Sequence, residues 1–412
     1  METVFELSSG YGTWERYPYY RSRTSFPKAA PGWVDGIYYH REKQEELSER
    51  APFEFHEDYI PLASRVWKET EETGFGICSY EETEIIHIPL ENGNYDIRVT
   101  FANPTGEAYH ARIKVNGIVK AGDVLVGEEE GTAAFSFCVI KGELALKLLP
   151  VSLAVTREGA EEKTVYLKQI AIRKIPGKEK GDRPAIFLAS DSTVQVYSKE
   201  YAPQTGWGQV FPGYFREIKI ENRAIGGRSA RSFLEEGRLD EILSEVRPGD
   251  YVLVQFGHND ATAARPNRYI PEESFAEYLQ YYIDGVKQRG AVCVLVTPVA
   301  RRNCEEEGGA FSISFPGYRK VMLALAAEQK LPLLDLGKET TEYLSQIGAG
   351  ESKKLFLWTE KGEFPESNYR EGVTDNTHLQ YRGAEAFAGI AARLIAEYHE
   401  DDQLDRIKAY LK

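Results

Sequence analysis

The 412-residue sequence has no run approaching the roughly 20 apolar residues that a membrane-spanning helix requires. Its opening, METVFELSSGYGTWERYPYY, lacks a basic region, an apolar stretch and a small-residue cleavage site, so it does not read as a secretory leader. The expected setting is the cytoplasm. Cysteine is sparse, and Cys78, Cys138, Cys293 and Cys304 show no paired spacing of the kind that holds a metal. Cys138 and Cys293 lie inside the apolar runs FSFCVI and AVCVLV and read as free, buried strand thiols. No metal and no organic cofactor is expected. A surplus of positive charge is also missing: 50 Lys and Arg stand against 64 Asp and Glu, a net charge of −14. This balance argues against duplex nucleic acid or an anionic membrane as the main partner, because both require a basic face. No internal repeat is visible, which sets aside stacked-repeat architectures.

What is present is the composition of an ordinary globular protein, 42% hydrophobic and 28% charged. The length suggests two domains, and the pattern of the chain divides near residue 180. Before that point the signals are short strands and turns. YDIRVTFANPTGE (95–107) alternates apolar and polar residues before breaking at Asn-Pro-Thr-Gly, and ARIKVNGIVKAG (111–122) alternates around Asn116-Gly117, a hairpin signal. TAAFSFCVI, LALKLLPVSL and VYLKQIAIRKI continue the series without intervening helices, as in an antiparallel β-sandwich. The polar stretch IPGKEKGDRP (175–184) reads as a linker between domains at 1–176 and 184–412, and would be the main protease-sensitive site if the two touched only lightly. After it, near-continuous apolar runs at 185–190, 251–257 and 291–298 resemble buried parallel strands. They alternate with amphipathic segments at 233–246, 274–290, 318–329 and 383–399. In the last segment Phe387, Ile390, Ala391, Leu394, Ile395 and Tyr398 form one stripe. The expected fold is α/β, a doubly wound parallel sheet preceded by the β-sandwich, with ligands at the carboxyl ends of the strands.

Several strand ends and one loop carry chemistry-bearing residues. Ser192 follows the first buried strand, Asn259 is next to last in the stretch QFGHND, and Asp375 and His378 stand three apart in DNTH before the final helix. A serine there projects a hydroxyl, an amide can donate to a developing oxyanion, and a nearby carboxylate can fix an imidazole tautomer. Each piece alone has a plainer reading. Serine caps helices, asparagine favours turns, and one Asp-x-x-His arises by chance in an acidic chain. The combination, in fixed order on one α/β domain, is what points to acyl transfer.

The blocks ASDST, RAIGGRSARSF, FGHND and DNTH together resemble those of the SGNH/GDSL hydrolases over about residues 184–400. Within that superfamily the extended block NRAIGGRSARSF and the histidine of GHND are similar to the rhamnogalacturonan acetylesterases of carbohydrate esterase family 12. The resemblance implies an SGNH, flavodoxin-like fold and a serine esterase that removes acetyl groups from pectic oligosaccharides. It implies Ser192 as nucleophile, His378 as base and Asp375 as its orienter. The oxyanion hole would combine the Ser192 and Gly227 N–H groups with the Asn259 side chain. Where Gly-Asp-Ser is usual this chain has Ser190-Asp191-Ser192, which places a Cβ beside the nucleophile turn.

Among the basic residues near these blocks, Arg223, Arg228 and Arg231 read mainly as partners for the abundant carboxylates. Arg301 and Arg302, after a strand end at TPVARR, are candidates for a substrate carboxylate, and His258 for substrate contact. An acetylxylan esterase, a lipase or a thioesterase would use the same residues, although no apolar lid of the lipase kind is visible. A reading of another class is a non-catalytic carbohydrate-binding protein. Trp14, Tyr17, Tyr19, Tyr20, Trp33, Tyr38 and Tyr39 make an aromatic opening, expected to pack a domain interface near the catalytic mouth. The sequence leaves the oligomeric state open.

Overall fold

The structure, a computed structural model, describes residues 2–6, 38–43, 67–70, 74–77, 82–103, 106–128, 130–151, 165–304 and 310–412. Most of the aromatic opening, Cys78 and the acidic stretch at 305–309 lie outside the described residues; Tyr38 and Tyr39 fall in a strand. The chain groups into two compact units, Met1–Gly177 with Glu235–Asp240, and Lys178–Leu234 with Glu241–Lys412.

The first unit consists of antiparallel strands in two sheets. One runs in the order Trp67–Thr70, Gly74–Ile77, Val165–Ile175, Gly93–Ala102 and Glu130–Val139, with Glu2–Glu6 also paired to Val165–Ile175. The other runs Tyr38–Lys43, Glu82–Pro89, Glu143–Pro150, Tyr109–Val115 and Ile118–Val126. The alternation read at 95–102 and 109–115 is the alternation of inward and outward faces. Ile97, Val99 and Phe101 from one sheet share a single core with Ile113, Val115, Leu144 and Leu146 from the other. Each such side chain contributes about 1.5–3 kcal/mol on leaving water. Asn116 and Gly117 both adopt positive φ, 48° and 84°, the geometry that a two-residue hairpin of type I′ needs.

The second unit is a parallel sheet of five strands: β1 (Ala185–Ala189), β2 (Lys219–Asn222), β3 (Tyr251–Val254), β4 (Val292–Val296) and β5 (Leu333–Leu334). Their spatial order is β2-β1-β3-β4-β5, the order of flavodoxin-like doubly wound folds. The chain reverses its direction of winding between β1 and β3, and a crevice opens there at the carboxyl ends. Helices Glu272–Gln288, Pro316–Gln329 and Tyr381–Ala396 match the amphipathic segments to within three residues at each end. Phe275, Leu279, Tyr282, Ile283 and Val286 form the buried face of the first of these. Phe387, Ala388, Ala391 and Ile395 of the last pack with Ile186, Leu188, Val294 and Val296 of the sheet.

The segment expected as one helix over 233–246 is two, Ala230–Glu235 and Arg238–Glu245. They are separated at Gly237, whose φ of 73° a continuous helix cannot hold. The helix Leu336–Ser352 was not legible, because LGKETTEYLSQIGAGES has few apolar residues and is interrupted at Gly348. Among the described residues, no helix is long and apolar enough to cross a membrane, and no group of His, Cys, Asp or Glu is arranged to hold a metal ion.

Candidate active site

β1 delivers Ser192 through a tight turn rather than into a helix, so the capping alternative does not describe this serine. Asp191 Oδ1 accepts the Thr193 N–H at 2.9 Å and the Thr193 hydroxyl at 2.8 Å. Val194 and Gln195 donate their N–H groups to Asp191 O. The Tyr197 hydroxyl donates to Ser192 O at 2.8 Å and fixes the turn from the outside. Ser190 stands in the place usual for glycine with its side chain buried. Its hydroxyl donates to Gln255 O just beyond β3 at 2.6 Å. Gln255 in turn donates to the Thr193 hydroxyl and accepts from the Trp207 indole, so the ends of β1 and β3 are joined by a satisfied buried network.

Asp375 and His378 lie in a hairpin, β6 (Phe356–Thr359) with β7 (Val373–Leu379), rather than in the free loop expected from sequence. Phe356 pairs with Leu379 and Trp358 with Thr374, so residues 375–378 bulge out opposite Leu357 alone. Inside the bulge Asp375 Oδ1 accepts the N–H groups of Thr377 and His378 at 2.6 and 3.0 Å, and Oδ2 sits 2.6 Å from His378 Nδ1. Burial by itself raises the Asp375 pKa. The imidazole contact and charge, together with the two N–H donors, overcome that effect and bring it down to about 2. His378 Nε2 lies 3.0 Å from Ser192 Oγ, across 186 residues of sequence.

Ser192 and His378 open into a cavity of about 620 Å³, lined also by Gly226, Gly227, His258, Asn259 and Arg268. Gly227 has φ +79°, a conformation that L side chains rarely adopt. At Gly226 a Cβ would come within 3.0 Å of Gln195 Oε1 and 3.5 Å of Ser192 Cβ. The Gly226 N–H is held by Gln195 Oε1, and Asn259 Nδ2 donates to Arg228 O at 2.9 Å. These bonds tie the glycine turn to both the Ser192 turn and the Asn259 loop. His258 is in the cavity wall, edge-on to Phe315, with Nδ1 3.5 Å from Asp191 Oδ2. Behind the wall, Asp260 accepts the N–H groups of Ala230 and Gly257. Burial, with a smaller push from the charge of Asp191, still raises its pKa to about 7.

The arginines divide. Arg223 pairs with Glu245 at 2.8 Å, and Arg228 Nη1 donates to Gly226 O. Arg301 lines the cavity, and its Nε donates to the Thr377 hydroxyl beside His378. Arg302 does not line it, which corrects its assignment to substrate. Its guanidinium donates to Ser352 Oγ and Ala349 O and lies over the Trp358 ring, while its backbone N–H supports the bulge through Asn376 O. Sequence reasoning missed Arg268, which reaches the cavity from a turn without a motif, and Gln195 and Tyr197, which lie just beyond the ASDST block.

A hydroxyl, an imidazole and a carboxylate in hydrogen-bonded line, beside backbone and amide donors at a sheet switch point, is the equipment of an acyl-transfer hydrolase. The chain belongs to the GDSL-like lipase/acylhydrolase family, whose model matches residues 191–386. It is similar to the rhamnogalacturonan acetylesterase RhgT of Bacillus subtilis, 41% identical over 213 residues that make up 52% of this chain and 89% of that one. The probable rhamnogalacturonan acetylesterase YesY of the same organism is 42% identical over 217 residues, 52% of this chain and 92% of the relative. The uncharacterized esterase YxiM of B. subtilis is 31% identical over 310 residues, a longer span, 74% of this chain and 72% of the relative.

Proposed function

We propose that the second unit is a serine acetylesterase acting on plant cell-wall carbohydrate, with acetylated rhamnogalacturonan oligosaccharides as its substrate. The observation that carries this reading is the unbroken line from Asp375 Oδ2 through His378 to Ser192 Oγ at the cavity wall. In the proposed mechanism His378 Nε2 takes the Ser192 proton as Oγ attacks the acetyl carbonyl, and Asp375 stabilises the imidazolium. The oxyanion is received by the N–H groups of Ser192 and Gly227 and by Asn259 Nδ2. His378 then gives its proton to the departing sugar oxygen. A water, deprotonated by the same nitrogen, attacks the acetyl-serine, releases acetate and restores Ser192.

Two features support a sugar as the alcohol. Tyr197 and Tyr201 line the cavity with ring centroids 5.8 Å apart, and Tyr201 is 40% exposed, a wall against which a pyranose ring can lie. Arg301 adds a cation in the same cavity, suited to a uronic acid carboxylate. The names of RhgT and YesY favour rhamnogalacturonan over xylan. Acetate release from acetylated rhamnogalacturonan and xylan oligosaccharides, with Ser192→Ala as control, tests the reading. Preference for xylan would replace the substrate. Binding to both without release would make the protein a carbohydrate binder.

A further inference from the structure

The turn that carries Gly227 presents a mechanical problem. Gly226 and Gly227 lack side chains, so the peptide plane between them meets little steric resistance to rotation. A flip of that plane would swing the Gly227 N–H away and bring a carbonyl oxygen in its place, which repels an oxyanion. In a trans peptide the C=O and N–H point in opposite directions. Whatever holds Gly226 O therefore sets the direction of the Gly227 N–H.

Arg228 holds it: Nη1 donates to Gly226 O at 2.8 Å. The next carbonyl along, Gly227 O, accepts from Arg268 Nη1 at 3.2 Å. The Gly226 N–H is taken by Gln195 Oε1. The turn is thus gripped at three backbone groups around the Gly227 N–H. Arg268 keeps this position although its Nε is buried without a hydrogen-bond partner, a cost that ordinary packing does not explain.

We propose that Arg228 and Arg268 act as a guanidinium clamp that locks the Gly227 N–H in its donating orientation and strengthens it as an oxyanion donor. The inference rests on the reading of Gly227 as part of the oxyanion hole. A charged donor on Gly226 O draws electron density through the same peptide unit whose N–H faces the reaction, a cooperative effect of about 10–30% per bond. Both arginines act through the backbone and are positioning residues.

The test uses the full chain, a chromogenic acetate ester and phenylboronic acid, whose adduct with a serine hydroxyl is a tetrahedral anion. Arg228→Met and Arg268→Met are each expected to lower kcat by about 10–100-fold with KM within about twofold, and to weaken boronate inhibition in proportion. Arg228→Lys, which keeps a charged donor, should recover part of the loss. The double variant should lose less than the product of the single losses, because both residues serve one turn. Should the Met variants fold poorly, Arg228→Gln and Arg268→Gln must still lose at least about fivefold in both kcat and boronate affinity. Wild-type values of both, or a loss confined to KM, would overturn the clamp. Turnover surviving in Ser192→Ala, or indifference of the wild-type chain to boronate, would instead overturn the esterase site on which the clamp depends.

Discussion

Asp191 Oδ2 lies 3.5 Å from His258 Nδ1, and the two side chains are 0% and 4% exposed. Asp191 shapes the turn of Ser192 and His258 adjoins Asn259, so this contact joins the Ser192 turn to the Asn259 loop at the cavity wall. Burial raises the Asp191 pKa, but the His258 charge and the Thr193 donors hold it below the usual carboxylate range.

Replacing His258 by Phe therefore removes the imidazole that favours the buried Asp191 carboxylate, and about 1–3 kcal/mol of stability should be lost where Asp191 is ionised. A folded-state pKa below the unfolded value of about 3.9 contributes stability above that pH, and the contribution disappears as pH falls through the folded value. The gap between wild type and His258→Phe should then narrow below about pH 4. Urea unfolding at pH 7 and pH 3.5 measures it, and a gap independent of pH would remove the charge argument.

Ser192→Ala and His378→Ala should each abolish hydrolysis of a chromogenic acetate ester; the thermal midpoint should be nearly unchanged in Ser192→Ala and lowered in His378→Ala, which removes the partner that depresses the Asp375 pKa. Both side chains are only half-buried and contribute little to packing. Substantial turnover in either variant would break the proposed roles.

Asp375, at about 2, stays ionised through mildly acidic conditions. Its stabilising effect is complete above about pH 4 and is lost between there and pH 2. Asp375→Asn should lower kcat by up to about 10⁴-fold, because the imidazole loses its orienting acceptor. Its stability deficit should be level above pH 5 and close toward pH 2. A deficit that grows on acidification would contradict the depressed pKa.

Ser190→Gly would install the residue usual in the family's Gly-Asp-Ser block, yet it leaves Gln255 O buried without its hydroxyl donor. The expected result is a loss of about 1–3 kcal/mol in denaturant unfolding with kcat within about twofold. A large fall in kcat at unchanged stability would show that the hydroxyl serves the site itself.

The sequence made legible whatever depends on periodicity or on local spacing. The buried runs at 185–190, 251–257 and 291–298 contain the strands β1, β3 and β4, and Asn116-Gly117 is the hairpin turn. Ser192, Gly227, Asn259 and His378 line one cavity, with Asp375 behind His378. What escaped depends on contacts distant in sequence. DNTH read as a loop because only the flanking Thr374 and Leu379 pair with Trp358 and Phe356, and nothing local announces a bulge. Arg302 looked as available as Arg301, but adjacent residues point apart, and Trp358 and Ser352 claim one of them. Arg268 gave no signal, since one of the two arginines in ARPNRYI acquires meaning only beside Gly227 O.

The bulge of β7 has one further consequence. Asp375 and His378 fix each other within four residues, so their mutual geometry travels with the hairpin wherever it moves. Only the 3.0 Å step from Nε2 to Ser192 Oγ spans separate parts of the chain. That step is the fuse of the machine. A displacement of about 1 Å there costs on the order of 10²-fold in rate, far less motion than melting the sheet requires. On slow heating, hydrolysis should fade while the far-ultraviolet spectrum is still that of the native protein, and it should return on cooling.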